Sequence, residues 1–101
     1  MLAQFSIFPI GQGAHLRKYV AAALDEVDKS GLDYRLTSMG TLIEGDWDAV
    51  LSVLKNARNR VLEMTDRVYL TISIDDCRKN SSRILAKAEA VEKALGRKLR
   101  R

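Results

Sequence analysis

The sequence predicts an α+β domain: an antiparallel sheet with two helices on one face, in the order β-α-β-β-α-β, plus an additional C-terminal helix. Three observations predict it. Residues 67–75, RVYLTISID, alternate Val68, Leu70, Ile72 and Ile74 with Tyr69, Thr71, Ser73 and Asp75, the period of a strand with one apolar and one mainly polar face. Three other stretches carry apolar residues three or four apart, as amphipathic helices do. Their order along the chain is that of the split βαβ architecture, which sets its helices on one side of the sheet and leaves the other side open.

Leu2 to Ile10 reads as the first strand, with Ala3, Phe5 and Ile7 on one face and Gln4, Ser6 and Phe8 on the other. Pro9 withdraws a ladder donor and marks the strand's end or an edge. Gly11-Gln12-Gly13 is a joint where the backbone can take positive φ or approach another group closely. From Ala14 to Lys29, Leu16, Val20, Ala23, Leu24 and Val27 make a helical stripe, which Ser30-Gly31 ends with Gly31 as the C′ residue.

Asp33 to Ser38 is the second strand, Met39-Gly40-Thr41 a tight reversal, and Thr41 to Glu44 the third strand. Asp46 is placed to cap the next helix through its side chain, and Trp47, Val50, Leu51, Leu54, Ala57 and Val61 form that helix's stripe. After the strand at 67–75, the polar run 76–80 turns the chain. Ser81 or Ser82 caps a third helix with the stripe Ile84, Ala88, Val91 and Leu95, ending at Gly96.

A length of 101 residues implies one domain spanning 1–101, and 47 % apolar residues with only six Gly and one Pro exclude a disordered or fibrous chain. The single Cys77 excludes an internal disulfide and a multi-thiol metal site. No apolar run approaches the ~20 residues that span a bilayer, and no signal or transit pattern opens the chain, so a cytoplasmic protein is expected. The net charge of +4 is local: residues 1–80 hold ten Lys/Arg against eleven Asp/Glu, whereas 81–101 hold seven against two. The basic character therefore belongs to the last helix and the tail 97–101, where it solubilises a chain end or attracts phosphate.

No catalytic constellation is present: no Ser-His-Asp set, no HExxH, no paired cysteines, and one histidine, His15. Gly11-x-Gly13 lacks the later glycine of a dinucleotide loop and the GK[ST] of a phosphate loop, although its amides could help to hold an anion. Glu44, at a strand end beside Gly45, is either a ligand acceptor or a solvated terminus. Asp75, Asp76, Arg78 and Lys79 allow an ion-pair network or ligand contacts, and Tyr69, Thr71 and Ser73 can line a pocket or a subunit interface. Trp47 belongs to a helix stripe, and Met39 stands where it could rim a pocket.

The blocks FSIFPIGQG at 5–13, SGLDYRLTSMGTLIEGDWD at 30–48 and ISIDDCR at 72–78 resemble the small thiamine-binding protein family, long described as a conserved family of unknown function; MGTLIEGDWD at 39–48 is the most specific of them. The matched positions are Pro9, Gly11 and Gly13, then Tyr34, Met39, Gly40, Thr41, Glu44, Gly45 and Trp47, with Asp75 and Arg78 in the last block. Ala14 stands where members often carry serine and Ser38 where proline is common, which removes one hydroxyl and leaves the reversal less stiffened.

The resemblance implies a ferredoxin-like fold, a homotetramer built as a dimer of dimers, and non-catalytic binding of thiamine or its hydroxymethylpyrimidine moiety for sensing, sequestration or delivery. No cofactor is expected. An aminopyrimidine offers flat area and an exocyclic amine, so Glu44 is the candidate acceptor, Met39 and Tyr34 the packing surface, Thr41 or Ser6 the neutral polar partners, and Gly11 a point of close backbone approach. Two alternatives stand beside this. One is an enzyme of thiamine metabolism, with Glu44 or Asp75 moving a proton. The other is a nucleic-acid module using the basic tail, which is disfavoured because TLIE lacks the aromatic series that RNA-reading sheets present.

Overall fold

The computed structural model describes residues 1–79 and 83–101. Its elements are β1 (Leu2–Pro9), α1 (Arg17–Lys29), β2 (Asp33–Leu36), β3 (Thr41–Glu44), α2 (Trp47–Leu62), β4 (Val68–Asp75) and α3 (Ala86–Leu95). The four strands form one antiparallel sheet in the order β2-β3-β1-β4. This is the ferredoxin-like α+β arrangement, with the additional helix at the C-terminal side. Among the described residues no helix is long and apolar enough to cross a membrane.

The alternation read in β1 decides where the core lies. Ala3, Phe5 and Ile7 are buried together with Ile43 of β3, and α1 and α2 close over them with Tyr19, Ala23, Val27, Val50, Leu54 and Val61. The first helix begins at Arg17 rather than at Ala14, so Leu16 is its N-cap and Tyr19 takes the buried place that the stripe gave to Leu16. Trp47 was expected in the α2 stripe but is 49 % exposed, because as the first helical residue it overhangs the end of the sheet. Asp46 is the N-cap by position, yet its side chain makes no capping bond.

The strand at 67–75 organises the sheet less than its pattern suggests. β4 is an edge strand: Val68 and Leu70 are half-buried, but Ile72 and Ile74, on the same face, are each 40 % exposed. The helices cover one end of β4 and stop short of the other. The third helix does not make up the difference. α3 starts at Ala86, after Ile84, and buries none of its side chains, so the stripe continues as an exposed face at Val91 and Leu95. The caps expected at Ser81 or Ser82 lie outside the described residues. The radius of gyration, 15.1 Å, exceeds the ~13 Å of a compact 100-residue domain, consistent with an arm standing off the body.

The β2–β3 reversal is closed by Thr37. Its amide and hydroxyl both donate to the Gly40 carbonyl, at 2.9 and 2.7 Å, and its hydroxyl oxygen accepts from the Gly40 amide at 3.2 Å. Glycine is required at position 40 for space: a Cβ there would stand 3.0 Å from the Phe5 carbonyl oxygen of β1. At the same end of the sheet, away from Glu44, Gln12 donates to the Thr65 hydroxyl and accepts from the Tyr19 hydroxyl, both at 3.1 Å, tying the joint after β1 to the link before β4.

Candidate functional site

Residues directly opposite each other in an antiparallel ladder share a face, so the register lays out the open side of the sheet. Tyr69, Thr71, Ser73 and Asp75 of β4 lie on it with Phe8, Ser6, Gln4 and Leu2 of β1. None of the four β4 residues is buried, which leaves this side for other contacts. Phe8 and Tyr69 stack on one another with ring centroids 5.4 Å apart.

At one end of this face Asp33, Glu44, Leu2 and Asp75 stand in a row across β2, β3, β1 and β4. Glu44 differs from the other two carboxylates in being only 8 % exposed. It is covered and satisfied by chain that follows β4: the Arg83 amide donates to Oε2 at 2.5 Å and the Ile84 amide to Oε1 at 3.4 Å. The Arg83 guanidinium also donates to the Asp75 carboxylate and, at 3.3 Å, to the Asp75 carbonyl oxygen. The hydrogen bond from Arg83 holds the Asp75 carboxyl below its ordinary pKa.

Beside Glu44 opens a cleft of about 370 Å³ lined by Glu44, Gly45, Asp46, Trp47, Cys77 and Arg78. Two distant segments meet in it: the end of β3 with the start of α2, and the chain just past β4. Among the described residues no group of three or more His, Cys, Asp or Glu is placed to hold a metal ion.

The six residues selected from the sequence do not converge. Ser6, Met39 and Thr41 line a separate cleft of about 130 Å³ between α1 and the β2–β3 reversal, where Met39 is 83 % exposed and Thr41 only 3 %. The Tyr34 hydroxyl donates to Asp28 of α1 at 2.7 Å, and this bond raises its pKa above the usual 10.0. Gly11, with φ of 83°, follows β1 at the end away from Glu44; eight strand residues at ~3.3 Å each separate the two ends. The next residue, Gln12, lines an open groove of about 820 Å³ at the start of α1, with His15, Arg17 and Lys18 among others. The residue that sequence reasoning missed is Arg83. Nothing in its surroundings along the chain marks it, because its role comes from a contact 39 positions away.

The profile of the family described as thiamine-binding protein matches residues 3–92. A UPF0045 protein of Methanocaldococcus jannaschii is 36 % identical over 91 residues, covering 90 % of this chain and 91 % of its own. A crystal structure of that protein superposes with a TM-score of 0.82 at 37 % identity, over 89 % of this chain and 93 % of the other. A UPF0045 protein of Methanothermobacter thermautotrophicus is 35 % identical over 96 residues, 92 % of this chain and 97 % of its own. A Thermotoga maritima protein assigned provisionally to thiamine biosynthesis or salvage shares the fold, with a TM-score of 0.79 at 17 % identity over 89 % of this chain and 96 % of that one.

Proposed function

We propose, because this chain belongs to the thiamine-binding protein family, that it binds thiamine or its aminopyrimidine portion reversibly in the cleft beside Glu44, as a non-catalytic cytoplasmic protein. The observation that carries this reading is convergence: the segments 39–48 and 72–78, which most resemble the family, end in one cleft around a nearly buried carboxylate. Volume separates the two clefts that selected residues line. About 370 Å³ falls within the ~300–1,000 Å³ typical of small-molecule pockets, whereas the 130 Å³ beside Ser6, Met39 and Thr41 is too small.

The lining suits the ligand. The half-exposed Trp47 indole supplies a flat face, and a face of that kind attracts a cation such as a thiazolium. Glu44 supplies the acceptor for an exocyclic amine, and Asp46 sets a second carboxylate in a lining that also holds Met1, Arg78 and Lys79. In this reading Ser6, Met39 and Thr41 lie outside the ligand site, and the Tyr34 hydroxyl ties β2 to α1. Trp47 is the one tryptophan of the chain, so thiamine added to the protein is expected to quench its emission saturably, with unchanged thiamine recovered afterwards. Emission and calorimetric heat that ignore thiamine, its phosphate and the free pyrimidine would refute binding; recovery of a new product would favour the enzyme alternative.

The assembly we propose is a dimer of dimers, and the sequence of β4 supports a particular pairing of its edge. Set antiparallel to a second copy with Thr71 opposite Thr71, β4 brings Arg67 opposite Asp75, Ile72 opposite Leu70 and Ile74 opposite Val68. The half-exposed end of one strand then lies beside the helix-covered end of the other, and an unpaired edge is removed from solvent. The open face with Phe8 and Tyr69 is the contact between such dimers. Ile72→Lys is expected to lower the mass seen by sedimentation. A wild-type protein that sediments as a monomer at micromolar concentration would rule the pairing out.

A further inference from the structure

Asp75, on the same row of the open face as Glu44, is exposed, while Glu44 is closed off by the backbone at Arg83 and Ile84. Both oxygens of Glu44 already accept a hydrogen bond, and near-complete burial leaves no approach for a third donor. Among the described residues, the chain that supplies those amides is otherwise held by half-burial of Ile84 and by the Arg83 side chain. Arg83 reaches past Leu2, which separates Glu44 from Asp75 in the ladder, to pair with Asp75 on the edge strand. Beyond it α3 buries no side chain. The bonds that Glu92 accepts, from the Leu99 amide at 2.7 Å and from Arg101 at 3.0 Å, stay within the same arm.

We propose that residues 83–95 form a latch that competes with ligand for Glu44. The inference rests on the ligand position given above: an amine-bearing heteroaromatic ring captures the carboxylate by displacing the Arg83 and Ile84 amides, and the arm swings free of Asp75 as it does so. The two states differ in which donors occupy Glu44, so the ligand shifts the equilibrium by the difference between its own contacts and those of the latch. Apparent affinity is reduced by the latched fraction, and weakening the latch must tighten binding. Because α3 lends the core no buried side chain, the arm can leave without opening the core.

The test uses the full chain and thiamine. Arg83→Pro removes the amide donor and the guanidinium together and is expected to tighten binding about tenfold, as for a latch closed nine-tenths of the time. Asp75→Asn, which removes the exposed ion pair with Arg83, should tighten it about two- to fivefold at a protein concentration where the oligomeric state matches the wild type. The amides of Arg83 and Ile84 should exchange with deuterium faster when thiamine saturates the protein than in its absence. Binding by the wild type with affinity unaltered in both variants, or with those amides equally protected in the complex, overturns the latch while leaving the site standing. Binding by Arg83→Pro alone would support it, and binding by neither would remove the site and the latch together.

Discussion

Phe5→Ala is expected to lower the unfolding free energy by about 3–5 kcal/mol, the usual cost of emptying a phenylalanine site in a core. Phe5 is 2 % exposed on the central strand β1, paired with Thr41 on one side and Ile72 on the other. The cavity lies under α1 and α2, which pack against each other across it. Arg60 of α2 also bonds Glu26 and Asp25 of α1, at 2.8 and 3.3 Å, so collapse of the helices into the gap is opposed. Against a total of ~5–15 kcal/mol for a domain of ordinary stability, the variant should melt well over 10 °C lower. Urea and thermal denaturation read both quantities. The contrast is Ile74→Ala: on the same face but 40 % exposed, it should cost about 1 kcal/mol or less. Similar losses from both would mean that the exposed end of β4 is covered in solution.

Glu44→Gln is expected to weaken thiamine binding about tenfold. Glutamine keeps the length and one acceptor oxygen, so the latch amides and a ligand amine both retain a neutral partner. What disappears is the charge, and a thiazolium-bearing ligand loses more by that than two neutral amides do, since a hydrogen bond to a charged group exceeds a neutral one by roughly 1 kcal/mol. Calorimetry on wild type, Glu44→Gln and Met39→Ala distinguishes the clefts. If Met39→Ala loses more affinity than Glu44→Gln, the ligand sits beside the β2–β3 reversal instead.

The fold was legible because its determinants are local and periodic. The alternation of β1 places Ala3, Phe5 and Ile7 in the core, and the Met39-Gly40-Thr41 reversal returns β3 antiparallel to β2. Less legible was how far each pattern is used. β4 has the cleanest alternation in the chain, yet the pattern says nothing of how far α1 and α2 extend over it, and the two helices leave Ile72 and Ile74 half in solvent. The stripe of α3 reads like those of α1 and α2, but no side chain of it is buried in the protomer.

Glu44 is a candidate in the sequence through the motif at 39–48, whereas its burial under the chain past β4 is visible only in the fold. Arg83, which covers it, is not a candidate there. A backbone amide donor carries no signature in residue type, and a contact across 39 positions leaves no periodic trace. Tyr34 was taken for ligand-packing surface because its aromatic character is visible in the sequence, whereas the Asp28 partner that engages its hydroxyl is visible only in the fold.

Gln12 bears on how the molecule can move. A primary amide has a giving end and a receiving end, and with Thr65 on one and Tyr19 on the other its orientation is fixed. The two connections at that pole are thereby stitched into one rigid post, and any rearrangement near Glu44 has something stationary to work against.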